Sequence, residues 1–488
     1  MRLLASTKTE SHAITPDHSV TLSRLFNPQQ DMGDQSAFLA LHNNDESLAW
    51  RIALIEQAEK TIDAQYYSWH NDTSGALLIS KLIEAADRGV RVRLLLDDID
   101  TFGADRQIAT LNRHANIEVR IFNPFKLRWS FRLVRILELL WNLDRLTHRM
   151  HNKLLTSDNI VSIIGGRNIG DEYFGLSTKL VFRDIDLLVC GASVDELSCS
   201  FDLFWNNDIS KRARKLIAFR PKGLDFRHMK RRLEKKLLLS RQIIQRIENL
   251  KTDLLNQPDL TSSLIKAGSL VFYDPPESSP TEMGQPTQSL YQCNDSTSKE
   301  LTIISAYFVP SKNLMASLQA LIEKGVNIQI FTNSLASIDV TVAFSGYQRY
   351  RKQLLAMGVE LYEFCADPKY HSIYTTPSVN VKRFSLHAKS IIYDASTVYV
   401  GTLNLDPRSA ILNTEIGLLV ESRALAEEVR QAFFEDLSEG EFWKVSQSHT
   451  GKINWQNGTT KTGIQPARSP IQRMFNLIYS LLPIHQHL

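Results

Sequence analysis

The chain has 488 residues, 43% of them hydrophobic and 22% charged, a balance that supports packed cores and excludes a largely disordered or fibrous polymer. Its 56 Lys and Arg against 53 Asp and Glu leave a net charge of +3, too small to commit the whole surface to a polyanion. Cys190, Cys199, Cys293 and Cys365 show neither C-x-x-C spacing nor histidine clustering, which argues against a disulfide framework or a zinc site.

Residues 1–35 read as a polar segment without the apolar stretch of a secretory leader. A first lobe is expected over 36–210. It begins with an amphipathic helix at 45–60 and a strand at 61–69, then a helix at 75–88 closed near Gly89 and a strand at 90–97. A helix around 103–113 and a strand at 117–122 continue the alternation; His151–Thr156 reads as a strand, followed by a turn at Ser157-Asp158-Asn159 and a strand at 160–164. Residues 211–265 read as a basic, largely helical connector. A second lobe over 266–445 repeats the plan, with strands at 301–309, 326–332, 359–364, 385–393 and 397–401 and helices at 313–323 and about 342–357. The tail, 446–488, turns amphipathic after Pro470. This alternation predicts an α/β fold of two similar lobes, each a mixed or parallel sheet flanked by helices. No window reaches the roughly 18 apolar residues of a spanning helix, so membrane contact is expected from the surface.

The sequence carries H-x-K-x4-D twice: His151, Lys153 and Asp158, then His387, Lys389 and Asp394, 236 residues on. Gly165 and Asn168 follow the first copy as Gly401 and Asn404 follow the second, and Gly89-Val90 and Gly325-Val326 each precede their histidine by 62 residues. A lone histidine among apolar residues is ordinarily a packed core residue. One common register for histidine, lysine, glycine and asparagine outweighs that reading and marks an internal repeat.

Paired histidines suit phosphodiester chemistry. A neutral imidazole can attack phosphorus while an imidazolium protonates the leaving oxygen and later deprotonates the acceptor. Lys153 and Lys389, two positions along an expected strand, should share the face of their histidine and clamp phosphoryl oxygens. Asn168 and Asn404 add amide donors after glycines that let the backbone approach the anion. No metal and no cofactor is required. Asp158 and Asp394 are expected to fix the turn. Asp186 and Glu415, at the heads of later apolar strands, are the carboxylates expected to hold the imidazoles.

These residues, with GGRN at 165–168 and GTLN at 401–404, resemble the phospholipase D superfamily. YYSWHND (66–72), HNKLLTSDN (151–159), GGRNIGDEYFG (165–175), TNSLASIDV (332–340), SGYQRYRKQLLAMGVELYE (345–363) and NLDPRSAILNTEIGL (404–418) resemble one branch, the bacterial cardiolipin synthases of the C type. The resemblance implies a pseudo-twofold arrangement of the lobes around one site. It implies a peripheral enzyme of the bacterial cell membrane that moves a phosphatidyl group from a second phospholipid to phosphatidylglycerol through a phosphohistidine. It further implies His151 as nucleophile and His387 as acid and base, and leaves a helper protein open. The alternatives are a phospholipase D that uses water, another phosphodiesterase including a nuclease, and a lipid-binding scaffold.

Outside the motifs, residues 126–149 read as a basic amphipathic helix, either on anionic lipid or packed with a solvated face; its basic positions are Arg128, Arg132, Arg135, Arg145 and Arg149. The stripe Ile471, Met474, Phe475, Ile478, Leu481 and Leu482 reads as an interfacial anchor or a docked helix. The basic connector lacks patterned aromatics, so nucleic acid is not the expected partner. Arg351 and Arg408 are further candidates for contact with an anionic head or for surface ion pairs.

Overall fold

In the computed structural model the described residues are 10–26, 33–126, 128, 138, 141–257, 260–278, 282–367 and 379–481. The first lobe contains β1 (Ser36–Leu41), β2 (Thr61–Tyr66), β3 (Arg91–Asp97), β4 (Ile117–Phe122), β5 (Arg149–Met150), β6 (Leu154–Ser157), β7 (Val161–Gly165), β8 (Val181–Arg183), β9 (Asp186–Gly191) and β10 (Ser210–Arg212). Its main sheet runs β10-β4-β3-β2-β6-β7-β9-β1, with β2, β3 and β4 parallel and the other pairings antiparallel.

The second lobe contains β11 (Ile265–Tyr273), β12 (Glu300–Ser305), β13 (Asn327–Asn333), β14 (Glu360–Phe364), β15 (Phe384–Leu386), β16 (Lys389–Tyr393), β17 (Thr397–Gly401), β18 (Asn413–Thr414), β19 (Ile416–Glu421) and β20 (Phe442–Gln447). Its sheet runs β20-β14-β13-β12-β16-β17-β19-β11, the same order strand for strand, again with a parallel trio and antiparallel neighbours. A hairpin, β21 (Ile453–Asn457) and β22 (Thr460–Thr462), extends its outer edge. The equivalent edge strands β1 and β11 pair antiparallel, Phe38 opposite Ile265, and so join the two sheets. The expected α/β architecture of two like lobes is what forms.

The repeated Gly-Val pairs are helix stops. Gly89 at φ 100° and Gly325 at φ 86° end the helices Thr73–Asp87 and Lys312–Glu323 in the left-handed region. Val90 N then donates to Ala85 O, and Val326 N to Leu321 O, each at 3.1 or 3.0 Å, before the chain enters β3 or β13. Glycine meets this conformation without the Cβ penalty. One apolar core crosses between the lobes. It includes Leu187, Val189, Val398, Val400 and Leu418 from the sheets, Phe201 and Phe204 from the helix Ser193–Asn206, and Val429 and Phe433 from the helix Arg423–Ser438.

Two expectations change. The residues read as a connector are laid on the first lobe: Lys81 meets Glu248 at 3.0 Å and Lys251 meets Glu56 at 2.5 Å, tying the helix Arg241–Leu255 to two helices of that lobe. Most of the helix expected over 126–149 lies outside the described residues, Arg132 and Arg135 included. Of its other arginines, Arg128 pairs with Asp98 and Asp105, Arg145 with Glu138, and Arg149 with Asp97 in a fully buried pair. Those three side chains satisfy internal carboxylates and do not form a lipid-facing stripe.

Asp158 and Asp394 sit at turns. Both take positive φ, 53° and 52°. The Asp158 carboxylate accepts from the backbone N–H groups of Glu59, Lys60 and Thr61 at 2.7–2.9 Å, and Asp394 accepts from those of Ser298, Lys299 and Glu300. Asp158 is completely buried and Asp394 is not. Asp158→Ala is therefore expected to lower unfolding free energy by about 3 kcal/mol and Asp394→Ala by about 1 kcal/mol, because water can reach the orphaned donors only at the second site. Urea denaturation of the two variants reads that difference.

Candidate active site

Each histidine follows a short strand that pairs with the opposite lobe. β5 runs parallel to β18, and β15 runs parallel to β8. The ladders continue for one bond, from His151 N to Thr414 O at 3.0 Å and from His387 N to Arg183 O at 2.8 Å. The next residue on each partner strand is a carboxylate. His151 Nδ1 lies 2.8 Å from Glu415 Oε2, and His387 Nδ1 lies 2.6 Å from Asp184 Oδ2. Each lobe thus supplies the carboxylate that orients the other lobe's imidazole. With Nδ1–H donated to the carboxylate, Nε2 is the nitrogen left for chemistry.

Both imidazoles line one cavity of about 520 Å³, together with Asn168, Asn404, Tyr173 and Arg408. Tyr67 packs edge-on against His151 with ring centroids 5.0 Å apart, and Tyr173 does the same to His387 at 5.2 Å. Asn168 Nδ2 donates to Tyr173 Oη at 3.0 Å, while its Oδ1 accepts from Ser68 N at 3.2 Å. Thr402 Oγ1 donates to Glu415 Oε2 at 2.5 Å, and Asp274 accepts from the Glu415 N–H at 2.9 Å, so the carboxylate is itself held from behind.

Asp186 does not perform the role expected of it. It is fully buried against Arg51 at 2.9 Å, Ser47 at 2.8 Å and Arg167 at 3.2 Å, a structural cluster of the first lobe. Asp184 takes its place because β8 is zippered to β15 through Arg183, which sets the following side chain against His387. Asp184 lies before β9, in the short link from β8, and so does not head a strand.

The lysines differ from expectation as well. Residues 151–153 and 387–388 lie between short strands, so strand alternation does not govern them. Lys153 Nζ donates to its own histidine's carbonyl at 2.6 Å, and Lys389 Nζ donates to the His387 carbonyl in the same way. Both side chains are 1% exposed. Lys153 acts through the histidine backbone, whereas Lys389 Nζ also lies 2.9 Å from His387 Nδ1, and neither lysine lines the cavity. Gly165 and Gly401 are needed for close strand packing and not for an anion: a Cβ would fall 2.6 Å from Ile185 O or Ile416 O. Arg408 lines the cavity, whereas Arg351 makes a buried pair with Glu363 at 2.9 Å.

Burial drives the electrostatics. It pushes His151 well below its ordinary 6.5, helped by the charges of Lys153 and Lys389, and lowers His387, where Lys389 adds to burial and Asp184 opposes it. Burial also lowers Lys153 to about 7 and Lys389 to about 8, and raises Glu415 to about 7 against the pull of Lys153. A concentration of cations held partly discharged gains from an incoming anion.

Sequence reasoning missed Tyr67, His70 and Asp100, as well as Tyr307, Asp339 and Asp406, all in the cavity wall. A signal existed. Several of them lie just past the carboxyl ends of β2, β3, β12 and β13, where sites in α/β sheets form. Tyr307 Oη donates to Asp339 at 2.8 Å. His70, Asp72 and Glu172 present atoms within 4.8 Å of one another. His70, however, is bonded to Asp100 at 3.1 Å and Glu172 at 2.9 Å, and these bonds raise it to about 10 despite burial. So held, the ring is a counter-ion to both carboxylates.

Asp184→Asn and Asp186→Asn are expected to separate cleanly. Without the Asp184 charge the His387 pKa falls further below 6.5, so stability should drop more steeply as pH falls below 6.5, where the unfolded chain takes up a proton the folded site refuses. Asp186→Asn should cost about 3–5 kcal/mol at neutral pH by stranding Arg51 and Arg167, with little added pH dependence. Unfolding measured across pH 5–8 reads both.

The family profile described as "Cardiolipin synthase, PLD-like domain" matches residues 52–205 and 290–437, the two lobes. "Cardiolipin synthase C" of Escherichia coli (strain K12) is 37% identical over 464 residues, which is 92% of this chain and 96% of that protein. A "Cardiolipin synthase" of Staphylococcus aureus (strain Mu50 / ATCC 700699) is 26% identical over 79% of this chain and 64% of its own length. The crystal structure of phosphatidylserine synthase from Haemophilus influenzae Rd KW20 superposes with a TM-score of 0.57 at 15% identity, covering 95% of this chain and all of that one, which extends the likeness to the fold. With both lobes matched and nearly the full length aligned to a close relative, the chain belongs to the cardiolipin synthase family built on PLD-like domains.

Proposed function

We propose that this chain is a phosphatidyltransferase that moves a phosphatidyl group from one phospholipid to a hydroxyl of phosphatidylglycerol, forming cardiolipin through a phosphohistidine. The observation that carries the reading is the pair of imidazoles lining one cavity, each pinned at Nδ1 by a carboxylate of the opposite lobe. His151 Nε2 attacks phosphorus, and the P–O bond to the leaving headgroup breaks as His387 Nε2–H gives that oxygen its proton. The acceptor hydroxyl then loses its proton to His387 while its oxygen displaces His151 from phosphorus, restoring both rings. The deeper depression of His151 supports its assignment as the neutral nucleophile.

In this reading Asn168, Asn404 and Arg408, which line the cavity, hold the phosphoryl oxygens, with the buried Lys153 and Lys389 charges behind. The carboxylates of Asp339 and Asp406 on the same wall suit a polyol headgroup, whose hydroxyls donate to them, better than water alone. Among the described residues no helix is long and apolar enough to cross a membrane. The helix Pro470–Leu481 supports contact from the surface because it is docked by its polar side. Gln472 Nε2 donates to Leu335 O and Asn476 Nδ2 to Gln348 Oε1, each at 2.6 Å, leaving Ile471, Met474, Phe475, Leu477, Ile478 and Leu481 between 44% and 78% exposed.

Incubation of the purified chain with phosphatidylglycerol and a second phospholipid in vesicles, followed by mass spectrometry, is expected to yield cardiolipin; phosphatidic acid alone would favour hydrolysis. His151→Ala and His387→Ala should each lower kcat by about 10³-fold. With a p-nitrophenyl leaving group, which departs without a proton, His387→Ala should still label His151 covalently and His151→Ala should not. Because the free His387 ring titrates below 6.5, kcat/KM is expected to decline on the alkaline side of that value. Asp184→Asn should move this limb to lower pH, and Asp186→Asn should leave it in place.

A further inference from the structure

Beside the catalytic cavity lies a second hollow of about 360 Å³. Its floor is Leu94 and Leu96 of β3, its sides are Ile79 of the helix Thr73–Asp87 and Ile108 of the helix Asp105–Leu111, and its roof is Met229 and Leu233 of the helix Gly223–Leu239. Tyr67, His70 and Asp100 line both spaces, so the apolar hollow adjoins the catalytic cavity across these three side chains.

The roof is unlike an ordinary covering helix. None of its residues is buried. It exposes Leu224, Leu238 and Leu239 at 53%, 65% and 82%, beside exposed Arg227, Arg231, Arg232 and Lys235. Phe102, which also lines the hollow, is 43% exposed. Apolar and cationic side chains mixed on one uncovered helix suit the surface of an anionic bilayer.

We propose that this hollow takes one acyl chain of the phospholipid whose phosphodiester occupies the catalytic cavity, with the helix Gly223–Leu239 resting on the bilayer from which that lipid is drawn. The inference rests on the phosphatidyl-transfer reading above. Lifting a headgroup to recessed histidines pulls the upper part of its chains out of the bilayer. Each methylene left in water lowers the population of the lifted state roughly fourfold. An apolar hollow adjoining the cavity removes that penalty, and it fixes which side of the phosphodiester faces the glycerol backbone. The connector's composition then has a reason beyond charge: it covers the hollow and carries the contact with lipid.

Two measurements test this. For Leu233→Trp, which fills the hollow from its roof, the ratio of kcat/KM on dipalmitoyl phosphatidylglycerol to that on bis(p-nitrophenyl) phosphate should fall about tenfold, less than the effect of two exposed methylenes. An unchanged ratio in a variant with the parent melting curve overturns the proposal. The unaltered chain supplies the second readout, using vesicles of phosphatidylglycerol with a diazirine at the acyl terminus. Photolabel on Leu94 or Ile108, which are 1% and 7% exposed and reached only from inside, is expected. Label confined to the helix Pro470–Leu481 or to other outer surfaces overturns it. Label in the hollow without any phosphatidyl transfer would instead defeat the catalytic reading and leave the chain site standing, so the two failures are distinguishable.

Discussion

The exchange of short strands between the lobes is the constraint on which the site depends. β5 with β18, and β8 with β15, each add a few parallel main-chain bonds, and each delivers a histidine of one lobe to a carboxylate of the other. Neither lobe orients its own imidazole, because the carboxylate beside each Nδ1 comes from the other lobe. The joined edge strands β1 and β11 and the apolar core shared by the two sheets make that exchange rigid. A displacement of one lobe by a single residue of register would separate both histidines from their partners at once.

Burial makes the exchange chemically useful and also costly. Two lysines, two histidines and two carboxylates occupy a space nearly closed to water, and the net result is a set of cations pushed toward their neutral forms. The carboxylates differ in the same setting: burial lifts Glu415 to about 7, while the nearby imidazole and Lys389 hold Asp184 below the usual range. The pseudo-twofold axis is therefore broken electrostatically even where the backbone obeys it. An asymmetric pair is what attack by one ring and proton delivery by the other require.

The surface follows a comparable logic. A helix docked through Gln472 and Asn476 with its apolar side outward, and a connector helix with no buried residue, would both be poor choices for a chain surrounded only by water. Both become reasonable where a bilayer supplies the missing apolar neighbour, and the second one lies over the hollow adjoining the catalytic cavity.

Much was legible in the residues themselves. The repeat of histidine, lysine, glycine and asparagine marks two like lobes, and the helix and strand periods place most elements. Local sequence determines these features, since capping, alternation and left-handed turns act over a few residues. The partner of His387 was not legible. Asp184 and Asp186 are both acidic, both near an apolar strand, and only the pairing of β8 with β15 across the lobe boundary decides which one reaches the ring. The wall of Tyr67, Tyr173, Tyr307, Asp339 and Asp406 gathered from both lobes was settled in the same way. The sequence by itself determined which chemistry is present and that it occurs twice; tertiary structure alone decided which copies of each group meet, because contacts between residues more than 200 positions apart depend on how two finished sheets pack and leave no local pattern.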